Sequence, residues 1–556
     1  MKKHFILLMA FSISAMAAFA QKELIGLPYS FDQKNISQSV DNVAMPAVDK
    51  AALLQEDEER AVKGELFRVG VSHQTHYTLD NCGRTDIMPD GGKLWRVNFQ
   101  SEGAIMMSVI FDKFNLPDEG KMYIYSPDHE QVFGPYTNED IQPQGKMVTD
   151  DIYGDEVVVE YYEPANAAFH GEIEICDITH LYRDIFQTKS VSEEKGDHGT
   201  AHGNCHINVA CPEGDPWRAP INSVVCILSN ANGYQYLCSG ATVNNVRMDK
   251  TLYVLSANHC IESESQTFKF YFFYQTNTCN GDVGNSRYVA NGGTIVARSS
   301  TYASTHSTSD FLLLRITGNV GMAYRDSIVF AGWDRSGMAS VGAAIHHPRG
   351  DWKKISIPKS VSDVTSGELA NKFFAVNWYL INNKGVTEPG SSGSPLFNAN
   401  SLIIGTLTSG LSACDSLWGT DHYGKMSYHW LNNGATDNAR KLQPWLDPDN
   451  TGATYIPSMR YDGTIVTGVQ DYELESSTFE VVPNPTSNGM VTVKGNFQHE
   501  NAVCNIYNVM GQLVMSCEVT TDATFPLNLS HLNNGIYIMH ILGSSRNYNS
   551  KLIIAK

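Results

Sequence analysis

Apolar and polar residues alternate along much of the chain with the two-residue period of β-strands. Clear runs lie at residues 94–99, 122–125, 157–162 and 170–175, and Gly, Pro, Asp and Asn turns separate them. This pattern predicts a β-sandwich over about residues 61–180. Short strands with Asn-Gly turns return near the C-terminus, over residues 477–556. The chain is therefore predicted to be mainly β.

Weakly patterned polar stretches separate these strand-rich parts. Residues 21–60 are mixed and are interpreted as an arm or a linker. Residues 187–203 are rich in Ser, Glu and Gly and form an exposed linker that is open to cleavage. A loose acidic stretch over residues 461–476 is a second linker. The resulting units are residues 21–195, 196–460 and 477–556.

The N-terminus predicts export. Lys2 and Lys3 precede an apolar run over residues 5–19, and Ala18-Phe19-Ala20 is a small-x-small cleavage site before Gln21. This is the pattern of a secretory signal peptide over residues 1–20. Outside the cytoplasm thiols tend to pair, so disulfides are expected among the 11 cysteines.

Composition excludes several functional classes. Hydrophobic residues make up 42% of the 556 residues and charged residues 18%, which supports a buried core and argues against a disordered chain. The net charge of −19 repels phosphate backbones, so no nucleic-acid binding is expected. No later apolar run is long enough for a spanning helix, so no transmembrane segment is expected after signal removal.

The segment Gly390-Ser391-Ser392-Gly393-Ser394-Pro395 predicts a nucleophile. A serine hydroxyl needs a base to take its proton and donors for the oxyanion that forms. Glycines allow the tight turn that aims backbone amides at one point. The amides of Gly390 and Ser392 are the predicted donors, although such a turn between strands is often structural only.

Two more segments favour catalysis. The β-run 252–257 ends in a small-residue turn that presents His259, and Asp310 stands at the start of the buried run 311–314. An isolated histidine or a strand-edge aspartate is often structural. Together, however, the order His259, Asp310, Ser392, each at a strand end, is the order of chymotrypsin-like proteases.

Over about residues 204–457, the sequence resembles the bacterial lysyl endopeptidases. The shared motifs are residues 205–215, Ala257-Asn258-His259-Cys260, Ser309-Asp310-Phe311, 331–335, 345–348, 385–395 and 445–448. The resemblance implies a double β-barrel serine protease in which His259 is the general base, Asp310 orients it and Ser392 attacks the scissile carbonyl. It implies peptide or protein substrates and no cofactor.

The residue that recognises the substrate side chain is predicted from the same resemblance. Trypsin-like enzymes carry an acid six residues before the nucleophile, where this chain has Val386. Asp421, in the segment 419–425, matches the family's lysine-binding carboxylate, and Glu388 and Asp415 are rival acids. The family's Leu-His-Gly-Gly stretch is replaced by Leu407-Thr408-Ser409-Gly410, and its stacking tryptophan has no equivalent near residues 365–372.

The resemblance also implies a disulfide pattern, for which six cysteines alone leave 15 pairings open. The implied bonds are Cys205–Cys414, Cys211–Cys279 and Cys238–Cys260. Cys226, inside the apolar run 224–228, is expected to be a buried free thiol. Cys504 with Cys517, and Cys82 with Cys176, are possible further pairs. No CxxC or HExxH spacing occurs, so no metal site is expected.

The C-terminal segment resembles the sorting domains of the type IX secretion system. Its motifs include Val481-Val482-Pro483-Asn484-Pro485, residues 505–514 and 532–537, and the terminal run 551–556. The resemblance implies that the secretion machinery is a partner and that the protein is released or attached at the cell surface. Residues 21–195 would then be a propeptide that covers the cleft and is removed after Lys195, before Gly196, with Lys189 as second choice.

The sequence thus predicts a secreted zymogen that cuts on the carboxyl side of lysine through an acyl-enzyme intermediate. A first alternative is the same fold with broader Arg/Lys or with acidic specificity. A second is a catalytically inactive surface adhesin.

Overall fold

The computed structural model describes residues 26–33, 36, 40–142, 145–185, 205–281, 284, 288–300, 309–318, 320, 322–466, 480–494, 500–508, 513–521, 524–542 and 547–556. These residues are mainly β, as predicted. Among them, no helix has both the length and the apolar character needed to cross a membrane.

The N-terminal unit is a β-sandwich. Its elements are β1 Asp41–Ala44, α1 Lys50–Val62, β2 Phe67–Thr78, β3 Arg84–Ile87, β4 Lys93–Gln100, β5 Met106–Asn115, β6 Lys121–Tyr125, β7 Val132–Tyr136, β8 Met147–Val148, β9 Ile152–Tyr153, β10 Glu156–Glu163 and β11 Glu172–Leu181. One sheet has the order β1-β4-β10-β6-β7, and the other contains β2-β11-β5-β8. Apolar side chains of both sheets, among them Phe99, Val159, Phe111 and Ile178, share one buried core.

Part of the predicted arm is ordered structure. Strand β1 pairs with β4, and helix α1 begins after Asp49, whose carboxylate accepts a hydrogen bond from the Ala52 amide. The helix is held to the sandwich by the buried ion pair of Asp57 with Arg68 at 2.8 Å. It carries few apolar residues on the packed side, so the hydrophobic pattern gave no signal for it.

The second unit contains most of the remaining elements. In chain order they are β12 Ile207–Asn208, α2 Arg218–Ile221, β13 Val224–Ala231, β14 Tyr234–Val243, β15 Tyr253–Ala257, β16 Thr267–Phe272, β17 Tyr288–Asn291, β18 Gly293–Arg298, β19 Phe311–Ile316, α3 Met322–Arg325, β20 Val329–Phe330, β21 Trp333–Asp334, β22 Ala343–His346, β23 Lys354–Ser356, β24 Pro358–Asp363, β25 Phe373–Trp378, β26 Pro395–Phe397, β27 Ile403–Gly410, β28 Asp421–Lys425, α4 Met426–Leu431, α5 Gln443–Leu446, β29 Tyr455–Ile456, β30 Ser458–Arg460 and β31 Ile465–Val466.

These strands form two antiparallel halves. The first half has the order β17-β16-β13-β14-β15-β19-β18, and the second has the order β12-β23-β22-β26-β27-β28-β25-β24. A single core lies between the halves and includes Leu255 and Phe311 from the first with Ile345 and Phe397 from the second. This arrangement agrees with the predicted double β-barrel, and the mainly β fold class is confirmed.

The sandwich and the first half share one sheet. Strand β2 pairs with β11 on one side and with β14 on the other, with Tyr234 opposite Val71 and Leu237 opposite Phe67. Sheet edges tend to recruit a further strand, and here the N-terminal unit supplies it.

The C-terminal unit is a small two-sheet structure. Its strands are β32 Glu480–Val482, β33 Met490–Lys494, β34 Glu500–Asn508, β35 Leu513–Thr521, β36 Thr524–Asn528, β37 Gly535–Leu542 and β38 Asn547–Ile554. The sheets β32-β33-β36 and β35-β34-β37-β38 enclose a core that includes Val493, Ile506, Met539 and Leu552. The predicted short strands are therefore present. Most of the predicted 461–476 linker lies outside the described residues, apart from a turn and β31.

Candidate active site

His259 and Asp310 lie close together because strand β15 ends opposite the point where the neighbouring strand β19 begins. Ala257, at the end of β15, lies opposite Phe311, at the start of β19. His259 therefore stands beside Asp310, with His259 Nδ1 2.7 Å from Asp310 Oδ2. The backbone amide of His259 also donates to Asp310 Oδ1 at 2.9 Å. Both side chains are buried, so the imidazole is fixed in orientation and tautomer.

The charge of Asp310 controls the basicity of His259. Burial opposes protonation of the imidazole, but the neighbouring carboxylate and its hydrogen bond outweigh burial. The pKa of His259 is therefore raised above its usual 6.5. Asp310 is fully buried, and its backbone φ of 59° is unusual for a residue other than glycine.

The Ser392 loop is fixed against the first half of the unit. Gly390 and Gly393 have φ values of 92° and 79°, the left-handed region that glycine tolerates. The Ser239 amide donates to the Ser392 carbonyl at 2.9 Å, and the Ser239 hydroxyl donates to the Gly390 carbonyl at 2.9 Å. A methyl group on Gly393 would lie 2.7 Å from the Ala257 amide, two residues before His259. The loop is thus packed against the segment that carries His259.

The amides of this loop divide into two groups. The Ser391 amide donates to the Glu388 carbonyl and the Gly393 amide to the Leu407 carbonyl. Among the hydrogen bonds of the described residues, the amides of Gly390 and Ser392 have no protein acceptor. These are the two donors that the sequence predicts for an oxyanion.

Sequence reasoning missed the partner of Ser391, the residue before the candidate nucleophile. Ser391 Oγ lies 2.7 Å from His346 Nδ1, and His346 Nε2 lies 3.0 Å from Ser356 Oγ. All three are fully buried. The motif around His346 was visible in the sequence, but its contact with the serine loop joins segments 45 residues apart and has no local signal.

Asp421 is fully buried at the start of β28, between Gly410 on β27 and Val376 on β25. Burial raises the pKa of its carboxyl above the usual 3.8, and hydrogen bonds from Ser412, Thr387 and Trp378 act against that rise.

The rival acids are placed differently. Glu388 is buried and its carboxylate is taken by His206 Nε2 at 3.0 Å and by Arg349 at 3.5 Å. Burial alone would raise the pKa of Glu388, but its hydrogen bond and electrostatic interaction with His206 and the charge of Arg349 lower it below 4.5. Asp415 is exposed. Val386, at the position of trypsin's acid, lies in an apolar core with Tyr423.

The structure joins six cysteines in the three pairs named above, Cys205–Cys414, Cys211–Cys279 and Cys238–Cys260. Cys226 is a buried free thiol on β13. The possible pairs of Cys82 with Cys176 and of Cys504 with Cys517 are not bonded.

One cluster has a ligand set that could hold a metal ion. Atoms of Cys205, His206, Glu388 and Cys414 lie within 4.8 Å of one another. The two sulfur atoms are bonded to each other, however, and thiolate rather than disulfide sulfur binds zinc. The remaining His206–Glu388 pair ties the start of the second unit to the serine loop.

The N-terminal unit reaches the same region. Leu237 of β14, which pairs with β2, has a methyl group 3.0 Å from the position of a Cβ on Gly390. Ile185 packs with Leu237 in one core, and its carbonyl accepts a hydrogen bond from the Tyr274 hydroxyl. The predicted cleavage residues Lys189, Lys195 and Gly196 lie outside the described residues.

Comparisons with known proteins found matches in both later units. Residues 199–424 match the family described as lysyl endopeptidase, C-terminal domain, and residues 480–555 match the secretion system C-terminal sorting domain. A lysyl endopeptidase of Pseudomonas aeruginosa is 26% identical over 346 residues, which cover 59% of this chain and 71% of that protein.

Two solved structures are similar to part of this chain. A thermostable serine protease from an extremophilic microorganism is 14% identical with a TM-score of 0.28, and it covers 37% of this chain and 92% of its own. Protease Anisep from Arthrobacter nicotinovorans is 17% identical with a TM-score of 0.28, and it covers 37% of this chain and 91% of its own. The chain is thus similar to lysyl endopeptidases over most of its second unit and to secretion sorting domains over its C-terminal unit.

Proposed function

We propose that the chain is a zymogen whose mature part, about residues 196–460, hydrolyses peptide bonds on the carboxyl side of lysine. The observation that carries this proposal is the fully buried Asp421 carboxylate in the same unit as the His259–Asp310 pair and the Ser392 loop. A buried acid without a charged partner is costly, and a substrate ammonium supplies that partner. Acidic substrates would meet repulsion instead.

The proposed reaction begins at Ser392. Neutral His259 takes the hydroxyl proton through Nε2 while Ser392 Oγ bonds to the scissile carbonyl carbon. The tetrahedral oxyanion is held by the amides of Gly390 and Ser392. His259 then gives its proton to the leaving amine, the C–N bond breaks and an acyl-enzyme remains. A water molecule then gives a proton to His259 and attacks the acyl carbonyl carbon. The ester bond to Ser392 Oγ breaks, His259 returns the proton to that oxygen, and the carboxylic acid product leaves.

The proposed role of the N-terminal unit is to block substrate binding before maturation. Strand β2 pairs with the edge of β14, and the paired part of this edge ends beside Gly390. An extended substrate peptide therefore cannot pair with β14 there. At the same time the His259–Asp310 pair and the glycine conformations of the serine loop are already formed. These contacts favour a zymogen that is inactive because the N-terminal unit blocks substrate binding. Cleavage after Lys195 would end this block.

The test of specificity is a cleavage map with one variant and one control. The purified mature enzyme is incubated with a mixed peptide library, and the cut sites are read by mass spectrometry. Cuts confined to Lys-X bonds, together with a loss of Lys cleavage of about 100-fold or more in Asp421→Asn, support the proposal. Asp415→Asn, an exposed acid six residues earlier, is the matched control and should keep the parental map.

Other outcomes discriminate the alternatives. Cuts after Arg as readily as after Lys would keep the protease and remove the lysine specificity. Cuts after Asp or Glu would contradict Asp421 as the binding residue. If the active-site serine is not labelled by a fluorophosphonate once the N-terminal unit is removed, the chain is the inactive adhesin instead.

A further inference from the structure

His346 is buried in a chain of hydrogen bonds that begins and ends on the loop before β26. The Ser356 hydroxyl donates to the Val386 carbonyl at 3.2 Å, and the Glu388 amide donates to Ser391 Oγ at 3.3 Å. His346 joins these two ends, because its Nδ1 lies 2.7 Å from Ser391 Oγ and its Nε2 lies 3.0 Å from Ser356 Oγ. The imidazole therefore supports this loop at two points.

Only one arrangement of hydrogens satisfies this chain. A backbone carbonyl can only accept, so the single hydrogen of the Ser356 hydroxyl goes to Val386. Ser356 Oγ then accepts from His346, which places the imidazole hydrogen on Nε2. Nδ1 keeps its lone pair and accepts from the Ser391 hydroxyl. Full burial lowers the pKa of His346 well below 6.5, so the imidazole stays neutral at neutral pH.

Ser391 fixes the direction of the Ser392 amide. The Ser391 carbonyl accepts from the backbone amide of Ser394 at 2.9 Å, and the Ser391 amide donates to the Glu388 carbonyl at 3.0 Å. The peptide unit between Ser391 and Ser392 is trans and planar, with its carbonyl and its N–H on opposite sides. A shift of Ser391 would therefore turn the Ser392 amide away from the oxyanion that it is proposed to hold.

The segment after β22 fixes the other proposed donor. The Arg349 amide donates to the Pro389 carbonyl at 2.6 Å, so the Gly390 amide of the same peptide unit points the opposite way. The His347 amide donates to Ser239 Oγ at 2.9 Å, and the Ser239 hydroxyl in turn donates to the Gly390 carbonyl at 2.9 Å. The peptide units on both sides of Gly390 are thus held by this segment.

We propose that His346 is a positioning residue for the oxyanion donors, because it holds Ser391 and thereby keeps the Ser392 amide directed at the oxyanion. This inference rests on the proposed function. His346 is fully buried, so it acts through Ser391 and not on the substrate. The oxyanion forms in the transition state, so loss of this support should lower kcat and leave KM nearly unchanged.

The test measures kcat and KM on a peptide amide that the parent enzyme cleaves. Each full chain is matured with immobilised parental enzyme, which is then removed. His346→Phe keeps a ring of similar size and loses both hydrogen bonds. It should lower kcat about 100-fold, the effect of losing one oxyanion donor, with KM within about 3-fold of the parent. The midpoint of its pH–rate profile should stay at the parental value, because Asp310 still sets the pKa of His259.

Two amide variants separate the two hydrogen bonds of the imidazole. An Asn side chain places its oxygen near the position of Nδ1, so His346→Asn still accepts from Ser391. A Gln side chain places its amide nitrogen near the position of Nε2, so His346→Gln still donates to Ser356 and loses Ser391. The kcat of His346→Asn should therefore exceed that of His346→Gln by about 10-fold, one hydrogen bond.

A pair of serine variants tests the same contact without changing the histidine. Ser391→Ala removes the donor to Nδ1 and should lower kcat about 10-fold. Ser223→Ala is the matched control, since it removes a buried hydroxyl that donates to the Pro220 carbonyl at 2.7 Å before β13. Its kcat should stay within about 2-fold of the parent. Melting temperatures of all variants record any loss of stability.

The failures are distinguishable. A kcat within about 3-fold of the parent in both His346→Phe and Ser391→Ala overturns this inference and leaves the proposed function standing. Equal kcat values for His346→Asn and His346→Gln also overturn it, because a histidine with only a structural role has no preference between its two partners. A raised KM with parental kcat would place His346 in substrate binding instead. If Ser392→Ala retains the parental turnover, the proposed function fails as well.

Discussion

At the scale of single residues, the serine loop gives the first prediction. Replacing Ser392 with Ala should reduce peptide cleavage by about 10⁴-fold or more, because the nucleophile is lost while the amides and the binding surfaces remain. Initial rates on a Lys-containing peptide check this result. Ser394→Ala, two residues along the same loop, is the control and should retain most of the activity. Substantial turnover by Ser392→Ala would falsify the assignment of the nucleophile.

Asp310 gives a prediction about pH. The reaction needs neutral His259, so activity rises as pH rises through the pKa of that histidine. Asp310 raises this pKa, which places the midpoint of kcat/KM above pH 6.5. Asp310→Asn removes the charge, so the remaining activity should be about 10³-fold to 10⁴-fold lower and its midpoint should move to lower pH. A pH–rate profile of both enzymes checks the shift, and an unchanged midpoint would contradict the role of Asp310.

A residue could be predicted from the sequence when it lies inside a recognisable local motif. It could not be predicted when its role depends on contacts between distant segments. His259, Asp310 and Ser392 each stand at a strand end inside a recognisable motif, so a local pattern indicates them. Trp378, Thr387 and Ser412 belong to separate segments of the second half. They reach Asp421 through the pairing of β25 with β28, the loop before β26 and the connection between β27 and β28. No pattern of residue spacing in the sequence predicts these contacts with Asp421.

At the scale of elements, the strands were predictable and their partners were not. Alternation indicated strands near residues 94–99, 122–125 and 157–162, and the structure has β4, β6 and β10 there. The pairing of β2 with β14 crosses from one unit to the next and depends on an edge that only the folded second unit presents. Helix α1 lacked an apolar stripe and was interpreted as part of an arm. Buried polar contacts hold it in place.

A buried ion pair joins the N-terminal unit to β16 of the second unit and gives the third prediction. Asp151 of the N-terminal unit accepts from Lys269 Nζ at 2.6 Å and from the Tyr271 hydroxyl, and Lys269 is 1% exposed. Asp151→Asn leaves the lysine charge buried without its partner. Such a loss costs about 3 kcal/mol, so we expect the N-terminal unit to bind the second unit about 100-fold more weakly.

The measurement uses the inactive Ser392→Ala chain, cut in its linker by added active enzyme. Size-exclusion chromatography at several concentrations then gives the dissociation constant of the two fragments. Asp86→Asn, which breaks an ion pair with Arg96 inside the N-terminal unit, is the control and should not weaken the complex. Equal dissociation constants for Asp151→Asn and its parent would show that this pair does not hold the units together.

At the scale of the whole molecule, the sequence predicts three units after the signal peptide. The signal-peptide pattern and the C-terminal motifs indicate export, and the sorting-domain match over residues 480–555 agrees with them. What composition does not reveal is that the first and second units share a sheet. In the proposed zymogen this arrangement would link maturation to activity, because removal of the N-terminal unit would uncover the edge of β14 beside the serine loop.

The last prediction concerns self-processing. The proposed lysine specificity, together with a lysine in the linker, would allow the protein to mature itself. The active chain should then give a mature N-terminus at Gly196, and Ser392→Ala should keep residues 187–203 uncut. N-terminal sequencing of the purified proteins checks both expectations. Lys195→Ala should move the cut to the bond after Lys189, whereas Lys494→Ala, in the sorting domain, should leave it at Gly196. A mature N-terminus that does not follow a lysine, or processing of Ser392→Ala at the wild-type rate in the absence of active enzyme, would show that another protease performs the cleavage.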